Sequence, residues 1–227
     1  MDKQKIAKTL FLITCSGPKC SEREENYRWE DILNCAGVHR FSKFPEFTDL
    51  RRNLSDYLTQ LSDEKAGINK SLYSSKTCKA IYRYNGHLYK KLRSKVKEAL
   101  AEGSISNVLI ISALHGPTHP SDYLPNYDLT MDNKYKTQKL RELWPKWIKS
   151  SSGKNLPEFL CGFESLTLMV GDAYKRSALA IKEIMPNCCD VHVEPHCWSA
   201  STTKWGEKLD SLLSQLLEDP KHESTPQ

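Results

Sequence analysis

Val108-Leu-Ile-Ile-Ser-Ala-Leu-His-Gly-Pro-Thr-His-Pro-Ser-Asp-Tyr-Leu-Pro-Asn-Tyr-Asp-Leu-Thr-Met131 sets a β-branched apolar run directly against a loop rich in proline and polar groups. Val108 to Ile111 is short, and Pro117, Pro120 and Pro125 follow too soon for a helix, so the run predicts a strand buried on both faces. In parallel-type sheets ligands bind in the crevice beyond the carboxyl ends of the strands. His115, His119, Asp122, Tyr127 and Asp128 are therefore expected where a site forms, in a polar loop of the kind that carries function.

Working outward, Ile6 to Thr14 predicts a first buried strand running into the turn Cys15-Ser-Gly-Pro-Lys-Cys20. Exposed amides at that turn, with Ser16 and Lys19 beside them, can hold an anion such as a phosphate. The spacing is not that of a nucleotide-triphosphate loop. Leu166 to Val170 predicts another strand, ending in Gly171-Asp-Ala-Tyr-Lys-Arg176, and Asp190 to Glu194 alternates as a last one. Helical spacing marks residues 45–61, 78–101 with a break at Asn85-Gly86, 140–148, and 205–217. Strands alternating with helices predict an α/β fold. The length suits a single domain over residues 1–219, with 220–227 as a disordered polar tail.

The chain carries 33 Lys and Arg against 28 Asp and Glu, a net charge of +5, which suits a polyanionic partner without demanding one. No stretch approaches the roughly 20 apolar residues that span a bilayer, and the start lacks a signal-peptide pattern, so a cytoplasmic protein is expected. The 8 cysteines then read as reduced thiols rather than disulfides. Cys188, Cys189, His192, His196 and Cys197 include ligand-type residues, but the two regularly spaced pairs of a structural zinc site are missing, and no metal or other cofactor is expected.

Ser62-Asp-Glu-Lys-Ala-Gly-Ile-Asn-Lys70 follows the 45–61 helix with a glycine turn. Such a hairpin can present the amides around Gly67, Asn69 and Lys70 to a DNA phosphate, and it serves equally as an ordinary helix connection.

These motifs together resemble the YaaA family, peroxide-stress proteins that bind DNA. The family's central S-G-L-Y-G-x-L-R-P-x-D-x-x-x-P-Y-R-L-E-M aligns without a gap on Ser112 to Met131. Its S-D-x-x-A-G-I-N aligns on Ser62 to Asn69, A-I-x-x-x-x-G-x-x-Y-x-x-L on Ala80 to Leu92, and L-x-x-x-W on Leu140 to Trp144, while S-D-E-Y-x-K resembles Gly171 to Lys175. The S-P-A-K turn is approximated by Ser16 to Lys19. The resemblance covers residues 10–180 and implies a YaaA-like α/β domain, a central mixed sheet flanked by helices, with a helix-hairpin-helix-like element at residues 58–72.

The chain departs from the family in its C-terminal part, which is shorter, and in four loop positions. His115 replaces a tyrosine, His119 and Asp128 replace arginines, and Thr130 replaces a glutamate. Imidazoles and carboxylates can do acid and base work that arginines cannot. The expected function is therefore a double-stranded-DNA-binding protein acting on bases, most concretely a DNA N-glycosylase excising damaged or modified bases.

Asp122 or Asp128 would be the carboxylate that stabilises the cation-like sugar or activates water, with Asp172 a rival. His115 or His119 would face the leaving base, and Tyr123 or Tyr127 would stack on the extruded nucleotide. Lys19, Asn69 and Lys175 would hold phosphates, with Ser16, Gly67 and Lys70 beside them. The alternatives are a non-enzymatic DNA-binding stress-response protein and a nucleoside or nucleotide hydrolase.

Overall fold

The computed structural model describes residues 1–20, 23–34, 42–60, 69, 71–150, 155–186, 190–195 and 198–218. Its centre is a five-stranded sheet built from β1 (Thr9–Thr14), β2 (Val108–Ser112), β3 (Gly116–Thr118), β4 (Ser165–Met169) and β5 (Asp190–Val193) in the order β3-β2-β1-β4-β5. The strands β2, β1, β4 and β5 run parallel, in the register Phe11↔Val108, Thr9↔Ser165 and Ser165↔Asp190. Only β3 is antiparallel, pairing Ser112 with Gly116.

The apolar runs behave as continuous buried strands should. Leu10 to Ile13 and Val108 to Ile111 are sealed from solvent, because a parallel sheet covered by helices leaves neither face wet. The edge strand β5 is exposed along its length.

The first strand begins later than Ile6. Residues Lys3–Ala7 form a short helix whose N-terminus is capped by Asp2, its carboxylate accepting from Lys5 N at 2.7 Å, and Ile6 packs into the core from that helix. The Thr48–Gln60 helix follows a 3-10 turn at Pro45–Phe47. Residues 80–102 split into Ala80–Arg83, His87–Lys91 and Ser94–Glu102, with the expected break at Asn85-Gly86.

The Leu140–Ser150 helix packs on the Asp172–Ile184 helix, and the long Trp198–Leu217 helix packs across His87–Lys91. Of the hairpin expected at residues 58–72, residues 61–68 and 70 lie outside the described residues, as does the tail beyond residue 218. Among the described residues no helix is long and apolar enough to cross a membrane.

One glycine fixes how the motif loop meets the helical layer. Gly116 has φ +65, and a Cβ built there would lie 2.2 Å from Trp144 Cζ3. The Trp144 ring is buried, and its Nε1 donates to Ala113 O at 2.8 Å, so the indole both fills the space over Gly116 and ties it to β2.

Gly103, at φ +81 after the Ser94–Glu102 helix, is left-handed too but would place its Cβ in open space. Gly103→Ala is therefore expected to cost about 1 kcal/mol from backbone strain alone, and Gly116→Ala about 3 kcal/mol or more because strain and overpacking add. Denaturant unfolding of both variants checks the difference; equal losses would show that Trp144 does not depend on the missing Cβ.

Candidate functional site

The connection leaving β1 leads to β2 on one side, while that leaving β4 leads to β5 on the other. A crevice is expected where such connections part, just beyond the carboxyl ends of β1 and β4. Two turns meet there through side chains: Cys15, the residue after β1, has its Sγ 3.2 Å from the hydroxyl of Tyr174 on the first turn of the Asp172–Ile184 helix.

The 15–19 turn is held from a third direction. Gly86 N donates to Ser16 Oγ at 3.1 Å, Asn85 N donates to Pro18 O at 3.0 Å, and Tyr89 OH donates to Thr14 O at 2.8 Å. Between these elements lies a cavity of about 350 Å³, with Cys15 and Ser16 on one wall and the exposed His87 and Lys90 at its rim.

A buried hydroxyl chain underlies this mouth. Ser112 Oγ, at the end of β2, lies 2.7 Å from Tyr127 OH, which lies 2.8 Å from Tyr84 OH. Burial raises the pKa of Tyr84, Tyr127 and Tyr174, keeping all three as neutral donors at physiological pH. Lys19 Nζ sits 4.1 Å above the Tyr127 ring centroid and donates to Gly17 O at 3.2 Å. Burial depresses the Lys19 pKa; Cys15 and Asp128 oppose that shift, and Arg83 adds to it.

The sequence candidates thus divide. Ser16, Lys19, Tyr127 and Asp128 gather with Cys15 and Tyr174 around the carboxyl end of β1. Asp172 and Lys175 are exposed on the same helical turn as Tyr174. Asn69 is buried and uses its amide as a clamp on the loop, donating to Asp128 O at 3.1 Å and accepting from Asp128 N at 3.0 Å. Tyr123 pairs with Lys79 in a small ladder, with its ring edge-on to Tyr27. Gly67 and Lys70 lie outside the described residues.

His115, His119 and Asp122 face inward. Their surroundings are organised by Arg51, a buried guanidinium that donates from Nε to His115 O, from Nη2 to Pro117 O, and from Nη1 to Ser42 Oγ and Phe44 O. The Asp122 carboxylate accepts from Lys43 N and His119 N, both at 2.9 Å. Burial nevertheless pushes its pKa up to about 6, against the pull of Arg51 and the two amides. His119, with Nδ1 2.7 Å from Ser121 Oγ, is pushed down to about 4, chiefly by burial and then by Lys43. His115 is held well below its ordinary value by burial, then by Arg51 and Lys19. Its ring lies edge-on to Trp29 and Tyr127, and its Nε2 has no hydrogen-bond partner among the described residues.

Sequence reasoning missed Arg51, Tyr84, Tyr89 and Tyr174. Nothing in the spacing of Arg51 distinguishes it from the solvated arginine beside it; Tyr84 reads as part of a helical face, and Tyr89 and Tyr174 stand in the aligned motifs with no role that residue type alone assigns.

Among the described residues no group of three or more His, Cys, Asp and Glu side chains is gathered around a metal position. Of the cysteine-histidine cluster near residue 190, only His192 is described, and its Nε2 lies 2.7 Å from Glu194 Oε1.

Residues 46–172, more than half the chain, match the family described as peroxide stress protein YaaA. A UPF0246 protein of Corynebacterium glutamicum is 31% identical across 48% of this chain and 50% of its own length. The chain spans about half the length of that curated relative. The family match runs from Glu46 through Arg51 and the whole 115–128 loop to Asp172.

The two buried titrating side chains make opposed contributions to acid stability. Asp122 titrates higher folded than its ordinary 3.8, so the stability it contributes is present below that value and is lost as pH rises through about 6. His119 titrates lower folded than 6.5, so its contribution is present above that value and is lost as pH falls through about 4. At roughly 1.4 kcal/mol per unit, each slope amounts to about 3 kcal/mol over the window. Asp122→Asn is expected to steepen the loss of stability between pH 6 and 4, and His119→Asn to flatten it. Unfolding free energies measured across that range test this; identical slopes in wild type and both variants would contradict it.

Proposed function

We propose that this chain, which belongs to the peroxide stress protein YaaA family, binds double-stranded DNA and removes damaged or modified bases as an N-glycosylase. Peroxide stress oxidises nucleobases, which gives such an activity its substrate. The observation that carries the reading is the meeting of Lys19, Asp128, Cys15 and Tyr174 at the parting of the β1 and β4 connections. An ammonium, a carboxylate and a protonated phenol are gathered there, and Cys15 also lines the neighbouring cavity of about 350 Å³.

The chemistry divides among those groups. Cleavage of an N-glycosidic bond leaves a cation-like sugar, and Asp128 stabilises it or activates the attacking water. The departing base gathers negative charge as its bond to C1′ breaks, and the Tyr174 hydroxyl, kept neutral by burial, stabilises that charge by donating a hydrogen bond. Lys90, His87 and Lys175 provide exposed cationic or polar groups toward the phosphates. His115, His119 and Asp122 act one step away, holding the loop that carries Asp128.

The inward-facing His115, His119 and Asp122 are also the feature that favours a second reading, in which the loop is structural and the protein binds DNA without catalysis.

The test incubates the purified protein with duplexes carrying oxidised or unmodified bases and counts abasic sites. Asp128→Asn is expected to lower excision by about 10²-fold or more while duplex affinity holds. Abasic sites formed equally by wild type and Asp128→Asn would remove the carboxylate from the reaction. Salt-dependent duplex binding with no abasic sites would establish the second reading.

A further inference from the structure

The cavities of the molecule differ in charge. That of about 600 Å³ along β5 is lined by Asp190 and Glu194 as well as Lys5 and Lys208, so an anion entering it meets carboxylates. That of about 350 Å³ beside Cys15 has no Asp or Glu in its lining among the described residues, and its basic groups, His87 and Lys90, are exposed. Lys91, next in the chain, is neutralised by Glu207 at 2.8 Å, whereas Lys90 makes no ion pair with any described residue. A cation so placed draws a phosphate to the mouth of the cavity.

Asn85 is half-buried in the wall of the same cavity. Its backbone is committed, with N donating to Pro18 O at 3.0 Å, but its side-chain amide has no hydrogen-bond partner among the described residues. The neighbouring Ser16 hydroxyl is already used, donating to Pro18 O at 2.8 Å and accepting from Gly86 N at 3.1 Å. Gly86 lets the turn press on Ser16, since a Cβ there would lie 2.6 Å from Ser16 Cβ, so the Asn85 amide stands on a fixed backbone.

An amide offers one accepting oxygen and one donating NH2 side by side. It pairs through two bonds with the outer edge of a purine when that edge sets a donor next to an acceptor. Guanine presents N7 and O6, both acceptors, and repels the amide oxygen. Oxidation at C8 puts a proton on N7, and the edge becomes a donor beside an acceptor.

We infer that the Asn85 amide selects 8-oxoguanine over guanine in this cavity, its oxygen accepting from N7–H and its NH2 donating to O6, while Lys90 and His87 hold the adjoining phosphate. This rests on the reading above, in which a base leaves the duplex for this site, and it names the base. Asn85 is thereby the residue that determines specificity, and it takes no part in breaking the glycosidic bond.

The experiment uses the full chain and duplexes that carry one central 8-oxoguanine or guanine on a 2′-fluorinated sugar. The fluorine destabilises the cation-like sugar and keeps the base in place, so binding is measured without excision. Wild type is expected to bind the oxidised duplex about 10-fold more tightly, the worth of one two-bond base contact. Asn85→Leu and Asn85→Ala are expected to bring the two affinities together at an unchanged melting temperature; Asn85 is not among the positive-φ positions, so neither side chain strains the turn. Lys90→Gln is expected to weaken both duplexes by the same factor and to lower the salt slope by about 1, with the preference kept.

Equal affinities in wild type, or a preference that survives in either folded Asn85 variant, overturn the inference. Abasic sites formed from unfluorinated 8-oxoguanine duplexes, without any binding preference, overturn it while sparing the N-glycosylase reading. A preference that depends on Asn85, without abasic sites, supports the inference and overturns that reading.

Discussion

A buried guanidinium sets the geometry on which the motif loop depends. Arg51 has almost no contact with water, and a charge so placed is costly unless every donor is met. Its donors are met by three backbone carbonyls and a serine hydroxyl, two of the carbonyls belonging to His115 and Pro117. The loop leaving β2 therefore cannot peel away from the Thr48–Gln60 helix without stranding a cation. Asp122, whose field acts on the same guanidinium, finishes the arrangement by accepting the amides of Lys43 and His119. Arg83 repeats the device on the far side, joining Leu124 O, Cys20 O, Lys76 O and Glu24.

With both ends of the loop so fixed, its tail is carried back to the end of β1. Asn69 clamps the backbone of Asp128, and the hydroxyl of Tyr127 joins Ser112 and Tyr84. The loop thus has a structural half, His115 to Asp122, and a half that reaches the crevice, Tyr127 and Asp128. Groups that differ from the family pattern fall in both halves. His115 and His119 sit in the packed half, where neutral imidazoles stand in place of the family's tyrosine and arginine, and Asp128 sits in the other. Only the last of these substitutions changes the charge beside Lys19.

Much of the architecture was legible in the chain. The runs at Leu10 to Ile13 and Val108 to Ile111 are apolar without alternation, which is what burial on both sheet faces demands; Leu166 to Met169 is broken only by the buried Thr167, and all three are adjacent parallel strands. The helical spacing around Leu54, Leu58 and Leu100 marked faces that do pack inward. The first strand is shorter than the apolar run from Ile6 predicts, because Asp2 caps a helical turn that takes in Ile6. The site was legible only in part. The loop's composition announced a place where chemistry could gather, but residue type does not say whether a histidine or an aspartate points into a cleft or into the core.

The sequence alone determined which segments are strands and which loop follows the central ones; these are local properties, fixed by periodicity, proline and glycine. Tertiary structure alone decided that Cys15 meets Tyr174, that Lys19 lies on Tyr127, and that Arg51 rather than water satisfies the carbonyls of His115 and Pro117. Those pairs are separated by up to 159 positions in the chain. Their contact follows from the order in which parallel strands are laid beside one another, and no short stretch of sequence encodes that order.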